Sequence, residues 1–151
     1  MCAINGISIA YEKTNEFLKD QQEQAKSANY IAALKQEDVH FRKEYRGCDR
    51  LNIVLSDITF SDKVELDLGG ITARIFHTVS PHSEDSTCIY IPEERVLFLG
   101  DSTSEDFFHN GYMDQEKLGI LMQMIQSVDC DYCILSHCEP LQKESLLEYL
   151  D

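Results

Sequence analysis

Five short extended segments separated by turns occupy the middle of the chain, and they constrain the fold more than any other feature. Turn residues separate several of them, at Ser61-Asp62, Gly69-Gly70 and Pro92-Glu-Glu. Short runs bounded by glycine, proline and aspartate are typical of neighbouring strands in a sheet. The sequence therefore predicts antiparallel strands at Ile53 to Leu55, Lys63 to Leu66, Ile71 to His77, Thr87 to Ile91 and Val96 to Leu99.

Helical segments flank this block on both sides. From Glu16 to Tyr45 the chain has no proline or glycine and repeats apolar residues at helical spacing, which predicts two or three helices. A short strand at Ile7 to Ala10 precedes them. Helical spacing returns after Asp114, which is suited to capping, and a strand from Tyr132 to Leu135 and a helix from near Pro140 follow. The order predicts an α/β (α+β) fold.

Length and charge limit what the chain can be. Its 151 residues contain no internal repeat and no linker, which predicts one domain over residues 1–151. The formal net charge of -14 repels phosphate backbones and anionic lipid, so we expect no nucleic-acid and no membrane partner. There is no apolar run of about 18 residues and no leader-like N-terminus, which predicts a cytoplasmic location.

The six cysteines lie mostly in apolar surroundings, which favours reduced thiols over a disulfide scaffold. Cys130 and Cys133 have the spacing of a redox motif. They enter a predicted strand, however, where the two thiols need not meet. Packing in the core is the favoured interpretation of this pair.

Three side chains that can ligate a metal each follow a predicted strand. His82 lies beyond a turn at Pro81, Asp101 follows a strand that ends in Gly100, and His137 follows the strand from Tyr132. The glycine allows close backbone approach. Neutral imidazole and carboxylate groups are ligands of zinc and similar ions. We expect the three side chains to converge at one edge of the sheet.

The other histidines have simpler interpretations. A histidine at a strand end is, taken alone, more often a hydrogen-bonded surface residue than a ligand. We expect a structural hydrogen bond for His77 and solvated side chains for His40 and His109. Contact with a substrate stays open for His109, because it follows the Asp101 loop.

Longer stretches resemble the metallo-β-lactamase superfamily. Residues 66–86 resemble the stretch that ends in its His-Thr-Pro-Gly-His-Thr-like motif, which places His82 on a ligand histidine. Residues 90–101 are similar to its next hairpin, ending in the Gly-Asp whose carboxylate bridges two metals, on Asp101. Ser136-His137 matches the late histidine of the second metal. The resemblance runs from about Gly6 to the end.

This resemblance implies a partial αββα sandwich with a mixed sheet and helices. It also implies a metal-dependent hydrolase that acts on a small-molecule ester, thioester, amide or phosphoester, with zinc, iron or manganese as the metal. The helical region at about 14–46 lies where relatives carry variable insertions over the substrate, and a solvated helical layer is the alternative interpretation.

Two departures and one absence modify the expectation. Val79-Ser80-Pro81 replaces the family's usual Pro-Gly, and Cys138-Glu139 replaces a glycine. The family's His-x-His-x-Asp-His motif is absent from the sequence, which predicts a domain truncated at its N-terminus and lacking the first half-sheet. The remaining ligands, shared between two ions, number fewer than the three of a typical catalytic zinc site. We expect metal binding to be weak or absent in this chain.

Two functions from different classes follow. One is a metal-dependent hydrolase, impaired in this form. The other is a non-catalytic binding or assembly module that keeps only the fold. Without its first half the sheet would leave an apolar face and open edges, which favours a homodimer in which a second copy covers them.

Overall fold

The computed structural model describes residues 6–48, 50–106 and 111–151. The chain divides into two compact units, residues 1–59 and residues 60–151. Each unit has its own secondary structure. A single domain over residues 1–151 stays a prediction.

The first unit is mainly helical. Strands β1 and β2 pair in a two-stranded sheet. Three helices lie between them in the chain, which confirms the prediction of two or three helices, although the first begins earlier than Glu16. The elements are β1 (Ile9–Tyr11), α1 (Glu12–Gln24), α2 (Ala28–Glu37), α3 (Val39–Glu44) and β2 (Ile58–Phe60).

The strand predicted at Ile53 to Leu55 is wrong, since residues 53–57 form no strand and β2 begins only at Ile58. Side chains of α1 take the backbone groups of this segment instead. The buried amide of Asn15 accepts from the Ser56 N–H (2.8 Å) and donates to the Ser56 carbonyl (3.3 Å). The Gln22 amide donates to the Ile53 carbonyl (2.6 Å). Backbone groups paired in this way are not available to a neighbouring strand.

The second unit contains a six-stranded sheet in the order β3-β4-β5-β6-β7-β8. All neighbours are antiparallel except β6 and β7, which are parallel. The mixed sheet and the block of antiparallel strands are therefore confirmed. The elements are β3 (Lys63–Asp67), β4 (Thr72–His77), β5 (Thr87–Ile91), β6 (Val96–Gly100), α4 (Gln115–Ser127), β7 (Tyr132–Leu135), β8 (Leu141–Gln142) and α5 (Lys143–Leu150).

The sequence predicts where α4 and α5 begin, and the predicted start of α4 is confirmed. Asp114 caps α4, because its carboxylate accepts from the backbone N–H of Glu116 and of Lys117, each at 3.1 Å. The predicted final helix is confirmed, but it begins three residues after Pro140. Leu141 and Gln142 first pair with β7, so α5 begins only at Lys143.

Helices α4 and α5 supply side chains to the core on one face of this sheet. Successive strand residues point to opposite faces, so alternate residues of β5, β6 and β7 contribute to this core. The buried cluster consists of Cys88, Leu97, Leu99, Leu121, Ile125, Cys130, Cys133 and Leu146. Burial of these apolar side chains stabilises the second unit.

An ion cluster around Arg95 joins the starts of β6 and β7. The guanidinium donates to both carboxylate oxygens of Asp131 (2.9 and 2.8 Å) and to Asp129 (2.7 Å). These bonds lower the pKa of both carboxyl groups. The Arg95 carbonyl also accepts from the Asp131 N–H at 2.7 Å. Backbone and side chain thus hold the two strands together at this end.

Within residues 6–48, 50–106 and 111–151, no helix is both long enough and apolar enough to cross a lipid bilayer.

The core position of Leu97 gives a first test. Leu97 is fully buried in the cluster, so Leu97→Ala is expected to lower the free energy of unfolding by about 2–5 kcal/mol, through lost transfer energy and the cavity left behind. Leu68, which is exposed, gives the matched control, and Leu68→Ala is expected to change it by less than about 0.5 kcal/mol. Urea unfolding followed by circular dichroism measures both. Equal losses in the two variants would contradict the assigned core.

Candidate metal centre

Three strands of the six-stranded sheet end at the same edge. Both β4 and β6 are antiparallel to β5, and β6 is parallel to β7. The three strands therefore run in one direction and share an edge at their carboxyl ends. His82 lies in the loop after β4, Asp101 directly follows β6, and His137 lies just beyond β7. The structure thus places all three candidate ligands in segments that leave the same edge.

A distortion of β6 sets the position of Asp101. The register between β6 and β7 shifts between Phe98 and Gly100, which is typical of a bulge that redirects a strand end. Gly100 has φ 58°, a left-handed conformation that favours glycine. Among the described residues, a Cβ at this position would meet only the Ser136 hydroxyl oxygen, at 3.8 Å. Backbone conformation, rather than the close approach predicted from the sequence, therefore requires glycine before Asp101.

Asp101 and His137 are in contact. The Nε2 atom of His137 lies 3.4 Å from the Oδ1 atom of Asp101, and their side chains are 84% and 39% exposed. The backbone supports this contact, since the Ser136 N–H donates to the Gly100 carbonyl at 3.1 Å. A pair this exposed stabilises the fold little. Its oxygen and nitrogen atoms are open to a ligand from solvent.

His82 is held by its ring and by its backbone. The Nδ1 atom lies 2.9 Å from the carbonyl oxygen of Glu105, and a carbonyl only accepts, so Nδ1 donates. In the neutral ring the lone pair is then on Nε2. The backbone N–H of His82 donates to the Ser80 hydroxyl at 3.0 Å. A ligand histidine is commonly oriented by such a bond from its other ring nitrogen to a carbonyl.

The three side chains are not gathered into one cluster. Among the described residues, no group of three or more His, Cys, Asp or Glu side chains is arranged to hold a metal ion. Only Asp101 and His137 are brought into contact, and His82 bonds to the loop after Asp101 instead. The ligand set of His82, Asp101 and His137 therefore stays a prediction.

The sequence reasoning missed the residues that support His82. The Ser80 hydroxyl and the Glu105 carbonyl hold it, and the sequence alone predicts neither contact. Ser80 had a signal, because it lies in the segment that departs from the family's usual Pro-Gly. The Glu105 contact had none, because any residue supplies a backbone carbonyl.

The other histidines follow the simple interpretation where they are described. The His77 Nε2 atom donates to the Glu84 carbonyl (3.1 Å), which confirms its structural hydrogen bond. His40 is exposed on α3, as predicted. His109 lies outside the described residues.

A family model decides the ancestry of the chain. The model described as "Metallo-beta-lactamase superfamily" matches residues 6–137. This chain belongs to the metallo-β-lactamase superfamily. Divalent metal ions such as zinc are typical of this superfamily, which identifies metal-dependent hydrolysis as the ancestral chemistry. No curated protein matches the sequence.

Solved structures of the superfamily have the same fold. An archaeal metallo-β-lactamase superfamily protein from Sulfolobus tokodaii is 17% identical with a TM-score of 0.57, and the match covers 94% of this chain and 56% of that one. For the B3 metallo-β-lactamase BLEG-1 the values are 18%, 0.59, 93% and 61%. For a metallo-β-lactamase family protein from Thermus thermophilus they are 16%, 0.57, 95% and 52%. The chain thus spans little more than half the length of these structures.

The two cysteines with redox-motif spacing lie in the core of this superfamily member. Cys130 and Cys133 are both buried, which confirms the packing interpretation. Burial raises the pKa of the Cys133 thiol, and equally that of Cys88, to about 12. Cys48 and Cys138 are exposed, and the structure pairs none of the described cysteines in a disulfide.

These thiols predict a loss of stability at alkaline pH. The pKa of Cys133 and of Cys88 is raised from 9.0 to about 12 in the folded chain. The stabilisation that these neutral thiols contribute to the free energy of unfolding is complete below pH 9.0, the pKa of a cysteine in the unfolded chain. It is lost as the pH rises toward 12, because the unfolded chain releases these protons at a lower pH than the folded chain does. The free energy of unfolding, measured by urea denaturation under reducing conditions, is expected to fall across this window.

Two variants test whether the buried thiols cause this fall in the free energy of unfolding. Cys133→Ala is expected to reduce the dependence of stability on pH, whereas Cys48→Ala, at an exposed position, is expected to retain it. A stability that does not change above pH 9, or an equal slope in both variants, would contradict the role of the buried thiols.

Proposed function

We propose that the chain is part of a metal-dependent hydrolase in which His82, Asp101 and His137 are ligands of zinc or another divalent ion, such as iron or manganese. One observation carries the proposal. The Asp101 carboxylate and the His137 imidazole lie 3.4 Å apart at the carboxyl ends of the parallel strands β6 and β7. On the ground of ancestry, we propose that the substrate is a small-molecule ester, thioester, amide or phosphoester.

The donor atoms fit a divalent ion. Asp101 offers carboxylate oxygen and His137 offers a ring nitrogen, both partly or largely exposed. The bond from His82 Nδ1 to the Glu105 carbonyl leaves the lone pair on Nε2, the tautomer of a ligand bound through that atom. Oxygen and nitrogen donors of this kind suit zinc. When bound, such an ion supplies Lewis-acid polarisation of a carbonyl or phosphoryl oxygen.

The number of donors sets the expected strength of binding. With Asp101 shared, one ion has His82 and Asp101, and the other has Asp101 and His137. A catalytic zinc site commonly has three protein ligands. The described residues also include no cluster of three candidate side chains. We therefore propose that this chain binds zinc weakly by itself.

A second candidate function is assembly, and exposed apolar side chains on one face of the sheet favour it. Five residues lie side by side across five neighbouring strands, on the face opposite the helix-covered core. All five are apolar, and Ile89 and Phe98 in the centre are 37% and 38% exposed. We call this row the apolar row; it consists of Val64, Ile75, Ile89, Phe98 and Ile134.

The next row on the same face is also uncharged. It contains Ile91, Val96 and Tyr132, paired across β5, β6 and β7. A cavity of about 220 Å³ lies beside the apolar row, lined by Ile89, Phe98 and Ile134 among others. A sheet that is apolar on both faces is typical of a buried middle layer. The exposed side chains of Ile89 and Phe98 in the apolar row therefore favour a covering layer.

We propose that a second copy of the chain covers the apolar row. Two identical rows can pack around a two-fold axis, because an uncharged face is complementary to itself. Sheets pack face to face in this way in sandwiches. The net charge of -14 opposes association of two copies, so the homodimer is expected to strengthen as salt screens the repulsion.

Zinc binding tests the first proposal. Asp101→Asn is expected to weaken zinc binding at least about tenfold, since the variant loses the anionic ligand shared by both ions. Competition between the metal-free chain and a chromophoric zinc chelator measures the affinity. Asp20→Asn, exposed on α1, is the matched control and is expected to bind as the wild type does. Equal affinity in all three proteins, or no saturable binding by the wild type, would contradict the ligand role. An ion retained through dialysis would contradict weak binding.

Light scattering at micromolar concentration tests the second proposal. The wild type is expected to be a dimer, and Phe98→Lys a monomer, because the variant places a charge in the centre of the apolar row. Tyr149→Lys makes the same change at an exposed aromatic residue of α5 and is expected to stay dimeric. Ile89→Lys repeats the test if Phe98→Lys does not fold. A monomeric wild type, or a dimer that survives both row substitutions, would overturn this proposal.

A further inference from the structure

Two buried serines join the loop that carries His82 to the segment that follows Asp101. Ser80 and Ser102 are each 2% exposed. The Ser80 hydroxyl donates to the Ser102 carbonyl at 2.9 Å and accepts from the His82 N–H at 3.0 Å. One hydroxyl therefore pairs with backbone groups of both segments.

Ser102 is in turn hydrogen-bonded to strand β6 of the sheet. The Ser102 hydroxyl donates to the carbonyl of Leu99 in β6 (2.5 Å), and the Ser102 N–H donates to the same carbonyl (3.1 Å). Ser102 is thus fixed to the end of β6 next to Asp101. Through Ser102 and Ser80, the backbone of His82 is fixed to that strand end as well.

The ring of His82 makes a second connection between the same two segments. Its Nδ1 donates to the Glu105 carbonyl at 2.9 Å. The backbone bond to Ser80 and this ring bond hold His82 at two points. A histidine that is hydrogen-bonded through both its backbone and its ring keeps one orientation and one tautomer. A ring that bonds only to solvent is free to change both.

We propose that Ser80 is a positioning residue, which holds His82 against the segment after Asp101 and so keeps the hydrogen on Nδ1 and the lone pair on Nε2. The inference rests on the proposed function for its consequence, because Nε2 is then the atom given to the metal. Ser80 itself touches neither metal nor substrate in this role. Its hydroxyl is buried, so water cannot readily replace it when it is removed.

Nitrogen NMR of the metal-free chain, labelled with ¹⁵N in its histidines, tests the inference at a pH where the ring is neutral. The wild type is expected to show His82 as the Nδ1–H tautomer. Ser80→Ala is expected to shift the ring signals toward a mixture with the Nε2–H form, because the loop no longer holds Nδ1 at the Glu105 carbonyl. Ser80→Thr keeps a hydroxyl and is expected to restore the wild-type signals.

A matched control and the wild type itself keep the test decisive. Ser127→Ala also removes one hydroxyl that donates to a backbone carbonyl, at the end of α4, and is expected to leave the His82 signals unchanged. A wild-type ring in the Nε2–H form would overturn the inference even if no Ser80 variant folds. A Ser80→Ala ring with wild-type signals would overturn it as well.

Zinc titration of the same proteins separates this inference from the proposed function. Ser80→Ala is expected to bind zinc about 10–100-fold more weakly than the wild type, as for other residues that orient a ligand. A changed tautomer with unchanged zinc affinity would overturn the link to the metal. A wild type that binds no zinc, with a tautomer that still responds to Ser80, would overturn the metal site and support the positioning of the ring.

Discussion

The parallel pairing of β6 with β7 is the constraint on which the candidate centre depends. Parallel neighbours end at the same edge, so two residues far apart in the sequence, Asp101 and His137, come into contact. The shifted register and the left-handed backbone of Gly100 then set how the chain leaves β6. Ser102 bonds to the same strand end and extends this order to the loop of His82. Without the parallel pair β6 and β7, no shared strand edge would bring Asp101, His137 and the loop of His82 to one side of the sheet.

Much of the fold could be predicted because its signals are local. Short extended runs bounded by turn residues identified β3 to β6, an apolar run identified β7, and the carboxylate of Asp114 identified the start of α4. The segment at Ile53 to Leu55 has the same composition but forms no strand. The Ile53 carbonyl bonds to Gln22, and the backbone of the adjacent Ser56 bonds to Asn15; both partners are distant in sequence. A contact of that kind leaves no periodic signal in the segment itself.

The candidate centre was predictable in its residue types and less so in its arrangement. Strand order places His82, Asp101 and His137 in segments that leave one edge, which a strand-end pattern can indicate. The bonds of His82 depend instead on the path of two loops. A serine within a loop has no sequence spacing that indicates a role. The role of Ser80 depends on its contact with Ser102, which only the folded structure shows.

The ion cluster of Arg95 lies at the amino ends of β6 and β7, opposite the edge that carries Asp101 and His137. The two strands are thus secured by one end and by their buried middle, while the other end carries exposed polar groups. Mutational tolerance is therefore unequal along the same strands. Sequence drift at the exposed end can alter chemistry while the scaffold persists, which is how a protein lineage can lose or change a reaction and keep its shape.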